Sequence, residues 1–597
     1  MYLNREQAQC VEDDGHCLVV ACPGSGKTRV ITKKIAAILT RNPDARIVAV
    51  TFTRDSATEL IERAVKEIGE DKFKRSCRIG TFHSLAIRQL RMANLLGSLA
   101  SPAQQFALVG RAMAQVGFTG NRDDATQVIE SGKTSLIDHP SHDDPLYLAY
   151  VELLLRQKLV DLYDVLRDAV TYMRSGRIHP YPIQHLLIDE FHDTDNIQMA
   201  WAFEHVKAGA VATCVADDDQ SIYSWRGALG NAGMLAFQKH CNARLITLGM
   251  NYRSHSEILE LADSIIRLDK DRIPKTLESA KGPGGVINFH RVGSASHEAL
   301  SVADEIGRHC ISLKESKVAF TQTVPVGSWA VLARNRRYLD ALELELQVRK
   351  IKYHRSASES LWNRAPFLQL LTLLRSLQTG APDGVDSALH HFITIQCGTP
   401  AANNALDALH RLGGDQFSRL LDGHVPSGVS DALTVTESQI IFSFAKIASD
   451  WRRLLSEGRY SAVINCVAGW LASMEKDTKM VPLIEKMGEF LAGMNGSLDS
   501  RVAALRFKNN KAVADSRDGV ALTTMHAAKG LEFENVWIIG CNDNIIPNPK
   551  AGNVAEERRL LYVAVTRAMK TLHISATTES KVSPLLTEAG VVFDTTL

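Results

Sequence analysis

The sequence predicts an α/β protein built as two doubly wound domains, each interrupted by a mainly helical insertion. Three observations carry this. Short β-branched runs without alternation recur towards both ends of the chain, glycine-bearing or acidic loops follow several of them, and stretches with only helix-period apolar positions separate the two sets. Uninterrupted apolar runs belong to parallel strands buried on both faces, and such strands present ligand sites at their C-terminal ends.

Taken in order, "HCLVVACPGSGKT" (16 to 28), "ARIVAVTFT" (45 to 53), "IQHLLIDEF" (183 to 191) and "GAVATCVADDD" (209 to 219) read as such strands. The stretches "TRVITKKIAAILTRN" and "DSATELIERAVKEIG" between them read as crossover helices. Residues 90 to 179 break this rhythm, with helix-period apolar positions in "DPLYLAYVELLLRQKLVDLYDVLRDAV" and no buried-strand signal. Strand character resumes at "GGVINFHRV" (284 to 292) and "GSWAVLARN" (327 to 335), then returns after a long helical region at "GVALTTMHAAKGLEFENVWIIG" (519 to 540). The predicted division is 1–89 and 180–255 for the first α/β domain, 90–179 for its insertion, 256–370 and 515–597 for the second domain, and 371–514 for its insertion.

A chain of 597 residues exceeds what one apolar core organises, so several domains are expected. The net charge is only +1, so any binding to nucleic acid must come from local arrangement of basic and aromatic side chains. The 10 cysteines are scattered without a CxxC pair, which argues against a zinc or iron–sulfur site and for reduced thiols in a cytoplasmic protein. The N-terminus has no signal-peptide pattern, and no apolar run has membrane-spanning length. A cytoplasmic protein without a membrane partner is expected.

Between a predicted strand and a predicted helix, "PGSGKT" supplies Pro23, Gly24, Ser25, Gly26, Lys27 and Thr28. Glycines there let successive backbone N–H groups turn towards a β-phosphate while the helix N-terminus adds its dipole. Lys27 would reach the β- and γ-phosphates of ATP, and Thr28 would ligate Mg2+. "LLIDEF" (186 to 191) ends a buried strand with Asp189 and Glu190 adjacent. An aspartate there can hold Mg2+ while the glutamate deprotonates the attacking water. An apolar run followed by Asp-Glu is common by itself; downstream of GKT it becomes strong evidence for an ATPase.

With these motifs in place, the chain resembles the UvrD/Rep/PcrA group of superfamily 1A DNA helicases from Leu3 to about Lys570. "LNREQ", "TFTRDSATEL", "GTFHSLAIRQL", "DEFHDTD", "ADDDQSIYSWRGA", "MNYRSH", "TTMHAAKGLEF" and "EERRLLYVAVTRA" follow one another in family order. The resemblance implies two RecA-like P-loop NTPase domains, each with a helical insertion, in a 1A/1B/2A/2B architecture. It implies a 3′ to 5′ DNA helicase that binds single-stranded DNA and single-strand/duplex junctions. By the same resemblance Gln7 reads adenine, Tyr252 stacks on the base, Glu532 bonds the ribose, Gln220 senses the γ-phosphate, and Arg253 and Arg567 enter the ATP site. Phe52, His83, Tyr223, Trp225 and Arg226 are the implied DNA contacts, with Asp217 to Asp219 facing the nucleotide. Stacking on aromatic side chains is indifferent to base identity, as a tracking motor needs.

Some positions depart from the family. His192 stands where glutamine is common, Cys22 and Pro23 stand where small residues are usual, and "MHAAKG" replaces a more polar form. The tail after the last motif carries no nuclease-like pattern, so a fused nuclease is not expected. The alternative reading is an ATP- and DNA-sensing subunit that regulates a separately encoded nuclease, as in phage-defence systems such as Gabija.

Overall fold

Strands β1 (Cys17–Ala21) and β2 (Ile47–Thr51) are buried at every position, as their unbroken apolar runs require. With β3 (Cys77–Thr81), β6 (His185–Ile188), β7 (Val211–Ala216) and β8 (Arg244–Leu248) they form a parallel six-stranded sheet of order β3-β2-β6-β7-β1-β8. The intervening β4 (Ser98–Leu99) and β5 (Leu159–Val160) pair with each other, as do β9 (Met250–Asn251) and β10 (Glu278–Ser279). This computed structural model describes residues 3–134, 140–315, 328–355, 360–363, 365–411, 416–427, 431, 433–478, 480–506 and 519–593.

Alternation along the strands divides the sheet's residues between two cores. Leu18, Val20, Val48 and Val50 pack with Trp201 and Phe237, whereas Val19, Ala21 and Ala49 pack with Ile31, Ile35 and Leu60. Helices therefore cover both faces, and the loops at the strand ends are left to carry ligands. Residues 90–179 hold a third core of Leu108, Ala112, Ile129, Tyr150 and Leu153, on helices Pro102–Val116, Arg122–Lys133 and Pro145–Arg156.

The chain divides into two compact units. The first comprises Met1–Ile287, Ile546–Leu572 and Pro584–Val591, and the second Asn288–Ile545, His573–Ser583 and Val592–Leu597. The edge predicted at 255/256 falls inside the first unit, for identifiable reasons. Ser254 Oγ donates to the Ala568 carbonyl at 2.6 Å, Arg559 Nε reaches Asp269 at 2.8 Å, and Arg558 Nη1 donates to the Ile265 carbonyl at 3.3 Å. These bonds tie helix Val554–Val565 to helix Ser256–Ile266 and the turn after it.

The second unit contains most of another six-stranded sheet: β11 (Val286–Val292), β12 (Trp329–Ala333), β13 (Tyr353–His354), β14 (Val520–Thr524), β15 (Phe533–Ile539) and β16 (Ala568–Thr577). Its order is β11-β16-β15-β12-β14-β13, with β12 parallel to both β14 and β15. Its helical part packs around Leu370, Phe392, Phe444, Trp451 and Leu471. The edge predicted at 370/371 falls within helix Phe367–Thr379, and that at 514/515 lies outside the described residues. Among the described residues no helix is long and apolar enough to cross a membrane.

Candidate functional site

The loop after β1 is shaped by its glycines. Gly24 (φ +65°) and Gly26 (φ +82°) occupy left-handed conformations, and a Cβ on Gly24 would lie 2.6 Å from Arg253 Cβ. Cross-bonds fix the loop: Tyr252 N–H donates to the Gly24 carbonyl at 2.9 Å, and Asn251 Nδ2 donates to the Pro23 carbonyl at 2.6 Å. Gly26 caps helix Lys27–Arg41 without a side-chain bond. The first-turn N–H groups therefore lack the usual side-chain acceptor and suit an anion. Ser25 Oγ is buried and has no hydrogen-bond partner among the described residues. This donor set fits a phosphate chain.

Gln7 lies in the capping box of helix Arg5–Glu12. Its Oε1 accepts from Asn4 N–H at 3.1 Å and its Nε2 donates to the Ser25 carbonyl at 2.8 Å, which ties the opening helix to the loop. Asn4 Nδ2 in turn reaches the Tyr252 hydroxyl at 3.0 Å.

Lys27 Nζ is held by Glu190 Oε2 at 2.5 Å. Burial disfavours the Lys27 ammonium, but the carboxylates of Glu190, Asp217 and Asp189 outweigh it and raise its pKa. Asp189 moves up to about 7, through burial first and the neighbouring Glu190 charge second. Glu190 itself has φ +50°, a left-handed conformation that a β-unbranched acid adopts only where its surroundings hold it. Glu190 N–H bonds Asp189 Oδ1 at 2.9 Å, so the two carboxylates leave the strand in different directions. Thr28, in the first turn of the loop helix, and Asp189 are oxygen donors of the kind Mg2+ takes.

Gln220 is buried on the neighbouring loop, where its Nε2 donates to Asp217 Oδ2 and its Oε1 accepts from Arg567 Nη2 at 3.3 Å. Arg567 is anchored by its Nε on the Val563 carbonyl at 2.9 Å, and Arg253 Nη1 reaches the Thr566 carbonyl at 3.4 Å. Burial and the nearby Arg253 charge push the Arg567 guanidinium down to about 9. Two cations that repel each other beside Lys27 define a place where an anion is favoured. Both arginines and the loop lie in the first unit. Glu532 lies in the second unit, exposed just before β15.

The expectation that Asp217 to Asp219 face the nucleotide is corrected by the structure. Lys275 Nζ sits 2.6, 2.5 and 3.0 Å from carboxylate oxygens of Asp217, Asp218 and Asp219, and Arg272 grips Asp219 through Nε at 2.9 Å and Nη2 at 2.7 Å. Asp218 also accepts from Ile273 N–H at 2.6 Å. The three acids stand together because they enclose an ammonium. No local sequence signal pointed to Lys275 and Arg272, which lie more than 50 residues along the chain from the acids they hold.

Beyond Gln220 the same loop turns towards a cavity of about 650 Å³ lined by Phe52, His83, Tyr223 and Arg226 from the predicted set. Phe106 and Tyr163, contributed by residues 90–179, also line it and were not foreseen. Tyr223 stacks on Phe52 with ring centroids 5.8 Å apart and planes 13° apart. Trp225 is 54% exposed, meets Tyr223 edge-on, and carries the Arg226 guanidinium 4.8 Å over its ring. Burial pushes His83 down to about 4, so it lines the cavity as a neutral ring at pH 7.

This geometry puts a phosphate-binding loop, an acid pair and buried arginines in one unit with an aromatic cavity, which is the constitution of a nucleic-acid-dependent nucleotide hydrolase. The UvrD/REP helicase N-terminal domain matches residues 3–107 and 138–242, and the UvrD-like helicase C-terminal domain matches 246–381 and 470–579. The chain belongs to the UvrD-like superfamily 1 helicases, a family of two RecA-like α/β domains. It is 29% identical to the ATP-dependent DNA helicase Rep of Escherichia coli K12 over 96% of this chain and 90% of that protein. Identity to the ATP-dependent DNA helicase PcrA is 27% for Leuconostoc citreum and 25% for Staphylococcus aureus, over 96% and 97% of this chain and 81% and 83% of those proteins.

Proposed function

We propose that this protein is a DNA-dependent ATPase that tracks along single-stranded DNA in the 3′ to 5′ direction and unwinds duplex at single-strand junctions. The observation that carries the reading is the continuity of one loop: Asp217 and Gln220 sit among Lys27, Glu190 and Arg567, while Tyr223 a few residues on lines the aromatic cavity. The names of the Rep and PcrA relatives support it.

In this reading Lys27 leaves Glu190 for the phosphates, and Glu190 becomes free to take a proton from the attacking water. Mg2+, held by Thr28 and Asp189, supplies charge neutralisation at the phosphate oxygens. Arg253 and Arg567 stabilise charge that develops on the transferred group. Gln7 and Tyr252 meet the adenine side, and Glu532 meets the ribose. Phe52, Tyr223 and Trp225 stack on unpaired bases, with His83 and Arg226 alongside. The domain assignment is 1A for 1–89 and 180–255, 1B for 90–179, 2A for 256–370 and 515–597, and 2B for 371–514.

Steady-state ATP hydrolysis with and without single-stranded DNA tests this, with Glu190→Gln as the inactive control. Stimulation by DNA that vanishes in Glu190→Gln is expected. Turnover indifferent to DNA, or surviving in Glu190→Gln, refutes it. Duplexes with a 3′ or a 5′ single-stranded tail then read the polarity.

A further inference from the structure

His192 is fully buried in the 3₁₀ turn Phe191–Asp193 that follows Glu190. Its Nδ1 lies 3.0 Å from the backbone N–H of Asp217. A peptide N–H can only donate, so Nδ1 must offer a lone pair, and the ring is neutral with its hydrogen on Nε2. That Nε2 stands 3.6 Å from Glu190 Oε2 and 3.4 Å from Asp193 Oδ1. Neither distance is a full hydrogen bond, and a shift of about half an ångström towards either carboxylate would make one.

The two carboxylates face different parts of the unit. Glu190 Oε2 is the atom that holds Lys27 at the phosphate-binding loop, whereas Asp193 lines the aromatic cavity. Asp193 is also the largest charged influence on Tyr223, the ring stacked on Phe52. The other end of the imidazole is fastened to Asp217, whose side chain accepts from Gln220 and whose own carbonyl accepts Gln220 N–H at 2.9 Å.

We propose that His192 is a positioning residue that couples the phosphate side to the cavity: its Nε2–H is shared between Glu190 and Asp193 while Nδ1 holds the sensing loop. The inference rests on the reading of Glu190 as the general base and of the cavity as the DNA site. When Lys27 is drawn away from Glu190, the Nε2–H is the neighbouring donor for the carboxylate it leaves, and turning to Glu190 removes it from Asp193. A ligand on either side thereby biases one hydrogen between two discrete acceptors, which is the element that reciprocal coupling requires.

The test uses two near-isosteres. His192→Asn keeps an acceptor near the Nδ1 position and loses the reach to the carboxylates; His192→Gln keeps a donor near the Nε2 position and loses the bond to Asp217. The measurement is the affinity for a fluorescent oligothymidylate, with and without saturating Mg2+ and β,γ-imido-ATP. The ratio of the two dissociation constants should be about fivefold or more from unity in the wild type, in the range typical of site-to-site coupling. Each variant should bring it within about twofold of unity. A merely structural role would lower both affinities together and leave the ratio in place, and that result overturns the inference. So does either variant keeping the wild-type ratio, since a bridge needs both ends. A wild type that binds neither probe overturns the proposed function, and the coupling with it.

Discussion

Two lysines flank the loop that begins at Asp217, and they are held in opposite ways. Lys27 has Glu190 as its hydrogen-bonded acid, and their side chains are 12% and 26% exposed; Lys275 sits among three acids, with every side chain in the group at 0 or 1% exposure. Water can replace what Lys27 gives Glu190, so that ammonium is available to another anion at modest cost. No solvent reaches the Asp217 to Asp219 group, so Lys275 cannot be withdrawn without leaving negative charge in a dry place. One cation is poised to change partners and the other fixes the loop on which Gln220 rides.

Removing the fixed cation is the largest way to break this contrast. Lys275→Met keeps most of the volume and leaves three buried carboxylates with Arg272 as their remaining close cation. Breaking a buried ion pair from one side costs about 3 to 5 kcal/mol, and denaturant unfolding of the variant should show a loss of that order. A loss below about 1 kcal/mol would mean that the acids are neutral or hydrated in the folded protein, and the distinction from Lys27 would fall.

A carboxylate buried with neutral donors only sharpens the same comparison. Glu298, in the second unit, accepts from Gly540 N–H at 3.0 Å and Ser575 Oγ at 2.5 Å, and burial pushes it up to about 7 from 4.5. A folded-state pKa above the unfolded value means the folded protein holds the proton longer. The stabilisation is therefore full below about pH 4.5 and is lost as pH rises to about 7. The change amounts to about 3 kcal/mol across that window. Glu298→Gln should flatten this part of the stability profile, and an unchanged slope would refute the assignment. Lys275 spares Asp219 this fate: with Lys275 and Arg272 beside it, its pKa falls despite burial.

The two ends of the loop also differ in exposure, which yields a smaller prediction. Trp225 is half in solvent and contributes little to packing, so Trp225→Ala should unfold as the wild type does. Its affinity for single-stranded DNA should weaken by about 1 to 3 kcal/mol, the worth of one stacked base. Equal affinity in a binding titration would remove Trp225 from the DNA contacts.

What the sequence disclosed follows the range of the forces involved. Strands β1, β2 and β12 were legible because burial on both faces writes an unbroken apolar run, and the phosphate-binding loop because its glycines and lysine are contiguous. The edge strand β8, with three of its five residues exposed, writes no such run. The tie between helices Ser256–Ile266 and Val554–Val565 was not legible, since it depends on bonds between segments about 300 residues apart. For the same reason the Asp217 to Asp219 run read as nucleotide-facing: acids state their charge locally, while the cation that neutralises them can come from anywhere. Phe106 and Tyr163 join the cavity through the packing of the helical insertion, which no motif encodes.

The last test returns to Lys27, where the contrast predicts almost no change in stability. Lys27→Ala removes the ammonium, but Glu190 is partly exposed and can recover hydration, so the unfolding free energy should move by about 1 kcal/mol or less, as for other accessible ion pairs. ATP hydrolysis should nevertheless be abolished, since the phosphates lose the side chain that reaches them. Stability and activity thus separate at Lys27, whereas at Lys275 they should fall together. A Lys27→Ala protein destabilised as severely as Lys275→Met would show that both lysines are structural, and the case for an exchangeable cation at the loop would be lost.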